Sequence, residues 1–278
     1  MLRTRLRSGE LRRGKLRKRF ESFFLRVLCA LCGEKNMKEK TIGILGGMGP
    51  EATLDCFAKI IKSTPAKKDQ DHLRVIIDSN PKVPDRPAAI SGEGESPVPA
   101  LVQGCRCLQL AGADFVIIPC VAAHFFLEEM RRQIELPILS IFDAVTETIV
   151  HDHPRIRTIG LLAITATISS GLFQNRLAAD EIKCIVPDDT HQSRVMAAVA
   201  DLKKTRPARS RSQMTADLIA AADHLISNGA QGIIAGCTEI PLALKQEHVS
   251  IPYFDALTIL ARAAVLEAGL HPIAVPNR

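Results

Sequence analysis

The sequence predicts an α/β protein made of two similar halves, each carrying a mainly parallel sheet. Short β-branched runs alternate with helical patterns from residue 41 onward, which is the signature of βα units. Strands such as Phe115-Val-Ile-Ile118 and Gly232-Ile-Ile-Ala235 are apolar throughout, as strands covered on both faces are. The stretch Gly112-Ala-Asp-Phe-Val-Ile-Ile-Pro-Cys120 also returns in pattern as Gly229-Ala-Gln-Gly-Ile-Ile-Ala-Gly-Cys237.

Taken in order, the β-branched runs place strands at Thr41–Leu45, Arg74–Asp78, Ala113–Pro119, Pro137–Phe142, Thr158–Ala163, Ile182–Val186, Gln231–Ala235 and Ile251–Phe254. Helical patterns lie between them, near 51–62, 97–111, 122–133, 168–179, 191–202 and 213–228, with a last one at 256–268. Gly47-Met-Gly-Pro-Glu-Ala52 reads as a tight strand-to-helix turn with Pro50 at the helix start. Each copy of the echo follows a long helix pattern and precedes a helix, then a Pro-containing strand running into Phe-Asp-Ala at 142–144 and 254–256. Two copies of one unit imply two α/β domains related by a pseudo-twofold axis, with the active site in the cleft between them. Residues 37–142 form the first, which 252–270 rejoins, and 143–251 form the second.

Composition narrows the function. The net charge of +6 comes from one end, where residues 1–36 hold 11 Lys and Arg against Glu10, Glu21 and Glu34. The remainder is slightly acidic, so no basic face for nucleic acid is expected. No apolar run approaches the ~20 residues that cross a bilayer. The basic leader 1–36 is expected outside the fold, and Met37-Lys-Glu-Lys-Thr41 reads as a natural start. A targeting segment and an arm for acidic partners are the other readings of the leader. The eight cysteines lack the rhythm of a disulfide scaffold, which suits a reduced, cytoplasmic protein. Cys29 and Cys32 are half of a metal site without a second pair, and no metal is expected.

In parallel α/β sheets, ligands bind outside the carboxyl ends of the strands. Cys120 and Cys237 each end a strand and are expected to open a helix, whose dipole lowers a thiol's pKa toward the reactive range. The fold needs the apolar strand in each copy; it does not need a cysteine at the end of both. Two thiols facing one cleft from opposite sides suit a two-base reaction, in which one takes the Cα proton and the other delivers one to the opposite face. Cys56, Cys105, Cys107 and Cys184 lack this placement and read as core or incidental.

The segment Thr41-Ile-Gly-Ile-Leu-Gly-Gly-Met-Gly-Pro-Glu-Ala-Thr53 is similar to the opening of aspartate racemases. Asn80-Pro81 with Pro84-Asp85-Arg86 resembles their substrate-binding loop, and Gly236-Cys-Thr-Glu-Ile-Pro-Leu242 resembles their second cysteine motif. The resemblance to the aspartate/glutamate racemase family covers residues 40–270. It implies a cofactor-independent (PLP-free) amino-acid racemase, a homodimer acting on aspartate or glutamate, with Cys120 and Cys237 as the catalytic pair. It also implies that Arg86, Met48, Gly49, Asn80, Thr167, Thr238 and Lys203 contact substrate. The Arg86 guanidinium matches a carboxylate with two hydrogen bonds. The chain departs from the family in Val121 and Ala122, where Asn and Thr are usual, and in Ile164 and Phe173, which replace polar handles.

His124, four residues after Cys120, is expected to support the thiol or to pack. Glu239 is expected to tune Cys237 or, by preference, to cap the following helix. Three rivals stand beside the racemase. A superfamily isomerase or decarboxylase acting on another dicarboxylate would use the same cysteines. A catalytically degenerate amino-acid-binding protein would keep only the cleft. A dinucleotide-binding protein would use Gly47, Gly49 and Ala52 with Asp78.

Overall fold

A computed structural model describes residues 39–204 and 206–273. The leader 1–36, with Cys29 and Cys32, lies outside the described residues. The elements alternate as β1 (Ile42–Gly46), α1 (Pro50–Ser63), β2 (Val75–Ser79), α2 (Arg86–Ser91), α3 (Val98–Leu110), β3 (Phe115–Ile117), α4 (Leu127–Arg131) and α5 (Ile141–Asp152). They continue as β4 (Thr158–Leu162), α6 (Thr165–Ser169), α7 (Leu172–Ala178), β5 (Lys183–Ile185), α8 (Asp189–Leu202), α9 (Arg211–Ser227), β6 (Ile233–Ala235), β7 (Tyr253–Asp255) and α10 (Ala256–Glu267). The strands form two parallel sheets, in the orders β2-β1-β3 and β5-β4-β6-β7.

The strands are apolar because both of their faces are buried, and alternate side chains feed two cores. Ile42, Ile44, Phe115, Ile117, Ile159, Leu161 and Ile234 enter one cluster with α1, α5 and α10. Leu45, Val116, Ile118, Leu162, Ile233 and Ala235 enter the other with α3, α8 and α9. Burying each such aliphatic side chain is worth about 1.5–3 kcal/mol.

The echo is deeper than the cysteine segments. Gly43 pairs with Val116 as Gly160 pairs with Ile233, so Thr41-Ile-Gly-Ile-Leu45 and Thr158-Ile-Gly-Leu-Leu162 are the first strands of two like units. Helices α3 and α9 end alike, with the Ala113 amide donating to the Leu108 carbonyl and the Ala230 amide to the Leu225 carbonyl, each at 3.0 Å. Gly112 and Gly229, at φ 92° and 91°, supply the left-handed residue that this C-terminal turn requires.

Several expected elements are corrected. Segment 137–142 is no full strand: it makes one parallel bridge, Ile138 to Val116, and then turns into α5. The Ser140 hydroxyl accepts from the Asp143 amide at 3.2 Å, and this N-cap recruits Ile141 and Phe142 into a helix whose Val145 and Ile149 share their buried face. The helix expected over 122–133 is a 3-10 turn, Ala122–Phe126, followed by the short α4. The helix expected over 168–179 begins earlier and breaks at Gly171 into α6 and α7. Helix α2 was not expected; Asp85 caps it by accepting from the Ala88 amide at 2.9 Å. Strand β7 extends the second sheet, whereas α10 packs on α1 and α5.

Candidate active site

Ile118-Pro119 carries the chain from β3 to Cys120, and Gly236 carries it from β6 to Cys237. Both cysteines are buried, at 6% exposure, in one apolar cluster with Met48, Val83, Ala122 and Ile164. Each cysteine leads into a 3-10 turn, Ala122–Phe126 and Ile240–Leu242, and not into an α-helix. The expected helix dipole is therefore missing, since a single turn aligns few peptide units.

For Cys237 the shift runs opposite to expectation. Burial and the Glu239 carboxylate push its thiol well above the ordinary cysteine range, against the lowering effect of Lys203. The Cys237 thiol donates to Glu239 Oε2 at 2.9 Å, and the Thr238 hydroxyl donates to the same oxygen at 3.2 Å. Glu239 does not cap the turn with its side chain as preferred from the sequence; its carboxylate is the thiol's acceptor. The Lys203 ammonium lies 3.8 Å from Glu239 Oε1.

Lys203 stands at the C-terminal end of α8, beside Glu239. Desolvation lowers its pKa, but the negative forms of Glu239, Cys237 and Cys120 outweigh this and raise it, while Arg86 opposes them. Residues from both halves thus act on one ammonium. Arg86 opens α2, which packs against α6 and against the turn at 122–126. Its guanidinium donates to the carbonyls of Val83 (3.1 Å), Pro84 (3.0 Å) and Met48 (3.3 Å). Its buried Nε has no partner, and among the described residues no carboxylate pairs with it.

The other expected residues divide. Thr167, in α6, is 2% exposed, and its hydroxyl has no hydrogen-bond partner among the described residues. Gly49 precedes α1 without a side-chain cap, and a Cβ built there meets nothing within 4 Å, so the turn is open on that side. Asn80 spends its side-chain oxygen on the Lys82 amide at 2.9 Å, and its backbone lies against Gly47. His124 bonds through Nδ1 to the Cys120 carbonyl at 2.9 Å, not to the thiol, and packs edge-on against Phe142. Burial pushes its pKa down to about 4, so it is a neutral prop for the Cys120 backbone.

The family departures also divide. Ala122 and Ile164 share the cysteines' cluster, whereas Val121 and Phe173 lie in the other core. Phe173 is fully buried edge-on to Phe142, with ring centroids 4.5 Å apart. Gln192 was missed: its amide donates to the Ala163 carbonyl at 3.0 Å and to the Thr165 hydroxyl at 3.3 Å, holding the chain between β4 and α6. Its place in the first turn of α8, far along the chain from both partners, gave no signal. Cys56, Cys105 and Cys184 have thiols pushed up to about 12 by burial and are inert. Asp78 lies against Gly104 of α3.

Residues 45–264 match the family model described as Asp/Glu/Hydantoin racemase. A broad specificity amino-acid racemase, RacX, of Bacillus subtilis (strain 168) is 30% identical over 230 residues, which are 81% of this chain and 96% of that protein. The aspartate racemase of Picrophilus torridus superposes with a TM-score of 0.74 at 28% identity, covering 84% of this chain and 96% of its own. An aspartate racemase homologue from Pyrococcus horikoshii superposes with a TM-score of 0.65 at 26% identity, over 84% of this chain and 99% of its own.

Proposed function

This chain belongs to the Asp/Glu/Hydantoin racemase family of isomerases, and on that premise we propose that it inverts Cα of an acidic amino acid, aspartate foremost and glutamate second, with Cys120 and Cys237 as facing acid and base. The observation that carries this reading is that Cys120 and Cys237, each just past a strand end, are buried in one cluster, with Glu239 bonded to the Cys237 thiol and Lys203 3.8 Å from that carboxylate.

The substrate carboxylates meet Arg86 and Lys203, with Thr167, Thr238, Asn80 and the Met48–Gly49 turn around them. Cys237 holds its proton against Glu239 and is the resting acid. Cys120, as thiolate, takes the Cα proton; the C–H electron pair moves into the carboxylate as an enediolate, which the cations and the backbone N–H groups at the start of α1 stabilise. Cys237 then protonates the opposite face and is left as thiolate while Cys120 is left as thiol. In the reverse direction the roles exchange: Cys237, left as thiolate, takes the Cα proton, and Cys120, left as thiol, protonates the opposite face. Acid–base catalysis of this kind contributes on the order of 10²–10⁴ in rate per group. No step requires a cofactor.

Ala122 and Ile164 beside the thiols favour tolerance of less polar side chains, since they offer no hydrogen bonds to select against them. A homodimer belongs to the same reading, supported by the apolar groove of Phe57, Ile60, Ile61, Leu73 and Val75 and by Leu54, exposed beside it on α1. A cytoplasmic location is supported by six free cysteines among the described residues.

The test is exchange of the Cα hydrogen in D2O, followed by NMR for each enantiomer, beside Cys120→Ser and Cys237→Ser. Exchange on aspartate or glutamate that both substitutions abolish is expected. Ligand-induced stabilisation without exchange would instead make this a binding protein, and turnover of another dicarboxylate would make it a different isomerase or a decarboxylase.

A further inference from the structure

A second cluster of ligating groups lies apart from the cysteines. Asp188 caps the start of α8, His191 lies one turn into that helix, and His224 lies on the last turn of α9. His191 Nδ1 is 2.6 Å from Asp188 Oδ1, and His224 Nδ1 is 3.7 Å from Asp188 Oδ2. The two imidazoles stack with centroids 4.2 Å apart and planes 20° from parallel, so both present Nδ1 to one carboxylate. One ligand atom from each of the three residues lies within 4.8 Å of the others. They come from opposite ends of two consecutive helices, so linear spacing does not reveal them.

We propose that Asp188, His191 and His224 bind a divalent transition-metal ion of borderline softness, such as Zn²⁺ or Ni²⁺, that staples α8 to α9. Two imidazoles and a carboxylate are a donor set that such ions take, whereas Mg²⁺ and Ca²⁺ prefer oxygen alone. A tetrahedral ion at about 2.0–2.1 Å from nitrogen brings its ligands roughly 3.3 Å apart. To reach it the 2.6 Å contact opens, the 3.7 Å one shortens and the stacked rings turn out of parallel, side-chain rotations that the partial exposure of all three residues permits. Solvent completes the coordination. Each neutral ring keeps its single proton on Nε2 and gives the Nδ1 lone pair to the metal. The Asn228 amide nitrogen, 3.2 Å from His224 Nε2, donates to the His224 carbonyl at 2.8 Å, so its contact with Nε2 is given up when the ring binds metal through Nδ1.

The consequence is mechanical. Helix α8 carries Gln192, which holds the chain after β4, and is followed by Lys203, which lies 3.8 Å from the Glu239 carboxylate bonded to Cys237. A metal at its N-terminal end fixes this helix against its closest packing partner and touches no reacting atom.

The full-length protein, stripped with a chelator, is titrated with Co²⁺ and Zn²⁺ beside His224→Ala and Asp188→Asn, the second of which keeps a capping side chain. Expected are one Co²⁺ bound with d–d bands and without thiolate charge transfer, and a rise in Tm with Zn²⁺. Both substitutions should weaken Co²⁺ by roughly tenfold or more, the least that follows even from losing an outer-shell partner. Affinity unchanged in both variants, or charge-transfer absorption from thiolate, would put the metal on cysteine and overturn the proposal.

Discussion

Gly236 sits between β6 and Cys237, and replacing it with alanine tests whether packing positions the thiol. A Cβ there would lie 2.6 Å from Leu161 Cδ1, 3.2 Å from Ala163 Cβ and 3.2 Å from Phe173 Cε2. Leu161, Ala163 and Phe173 are all fully buried, so the collision cannot be relieved toward solvent. Overpacking of this kind costs about 1–3 kcal/mol. At about 2 kcal/mol, Tm should fall by roughly 4–8 °C for a domain of this size. The backbone would also move by some tenths of an ångström beside a thiol whose hydrogen bond to Glu239 is 2.9 Å long. A displacement of 1 Å near chemistry costs on the order of 10²-fold in rate, so a loss of about tenfold or more in kcat is expected from this smaller shift. Urea unfolding and racemase assays would measure both. Leu161→Val removes the clashing methyl, so Gly236→Ala in that background should cost less than in wild type, a coupling of about 0.5 kcal/mol or more. Strict additivity, or a Gly236→Ala enzyme as stable and fast as wild type, would refute the steric argument.

Glu239→Gln removes the negative charge that helps hold the Cys237 thiol up, so that thiol's pKa falls; the acid limb of kcat/KM in the direction using Cys237 as base should move to lower pH. An upward or absent shift would show that the carboxylate does not act on the thiol. His124 is neutral in the fold down to about pH 4 but protonates near 6.5 when unfolded, so the unfolded state binds more protons between those values and stability falls with pH across that window. The loss from pH 7 to pH 5 is about 2 kcal/mol, and urea unfolding of His124→Phe should show a flatter pH dependence. Thr167→Val removes a buried hydroxyl that has no partner, so stability should hold or rise while KM for the substrate increases several-fold; a stability loss above about 1 kcal/mol would mean that the hydroxyl is structurally satisfied.

The pattern of apolar strands and the repeated segment determined the fold class by themselves, because period and punctuation are local properties of the chain. The repeat singled out both thiols as candidates, a family motif offered Arg86, and position alone offered Lys203. Tertiary structure decided what locality could not. The bridge at Ile138 gave way to α5 because one serine capped a helix. A 3-10 turn after each cysteine removed the expected dipole, and burial together with Glu239 raised the Cys237 pKa that the sequence expected to be lowered. Val121 and Phe173 turned into the second core, while Ala122 and Ile164 joined the thiols. Gln192 became a strut, and Asp188 met His224, only because packing brought separate segments of chain together. Sequence determines which groups exist and how each segment prefers to fold. Proximity, desolvation and the charges that surround a group exist only once the chain has packed, and these set its chemistry.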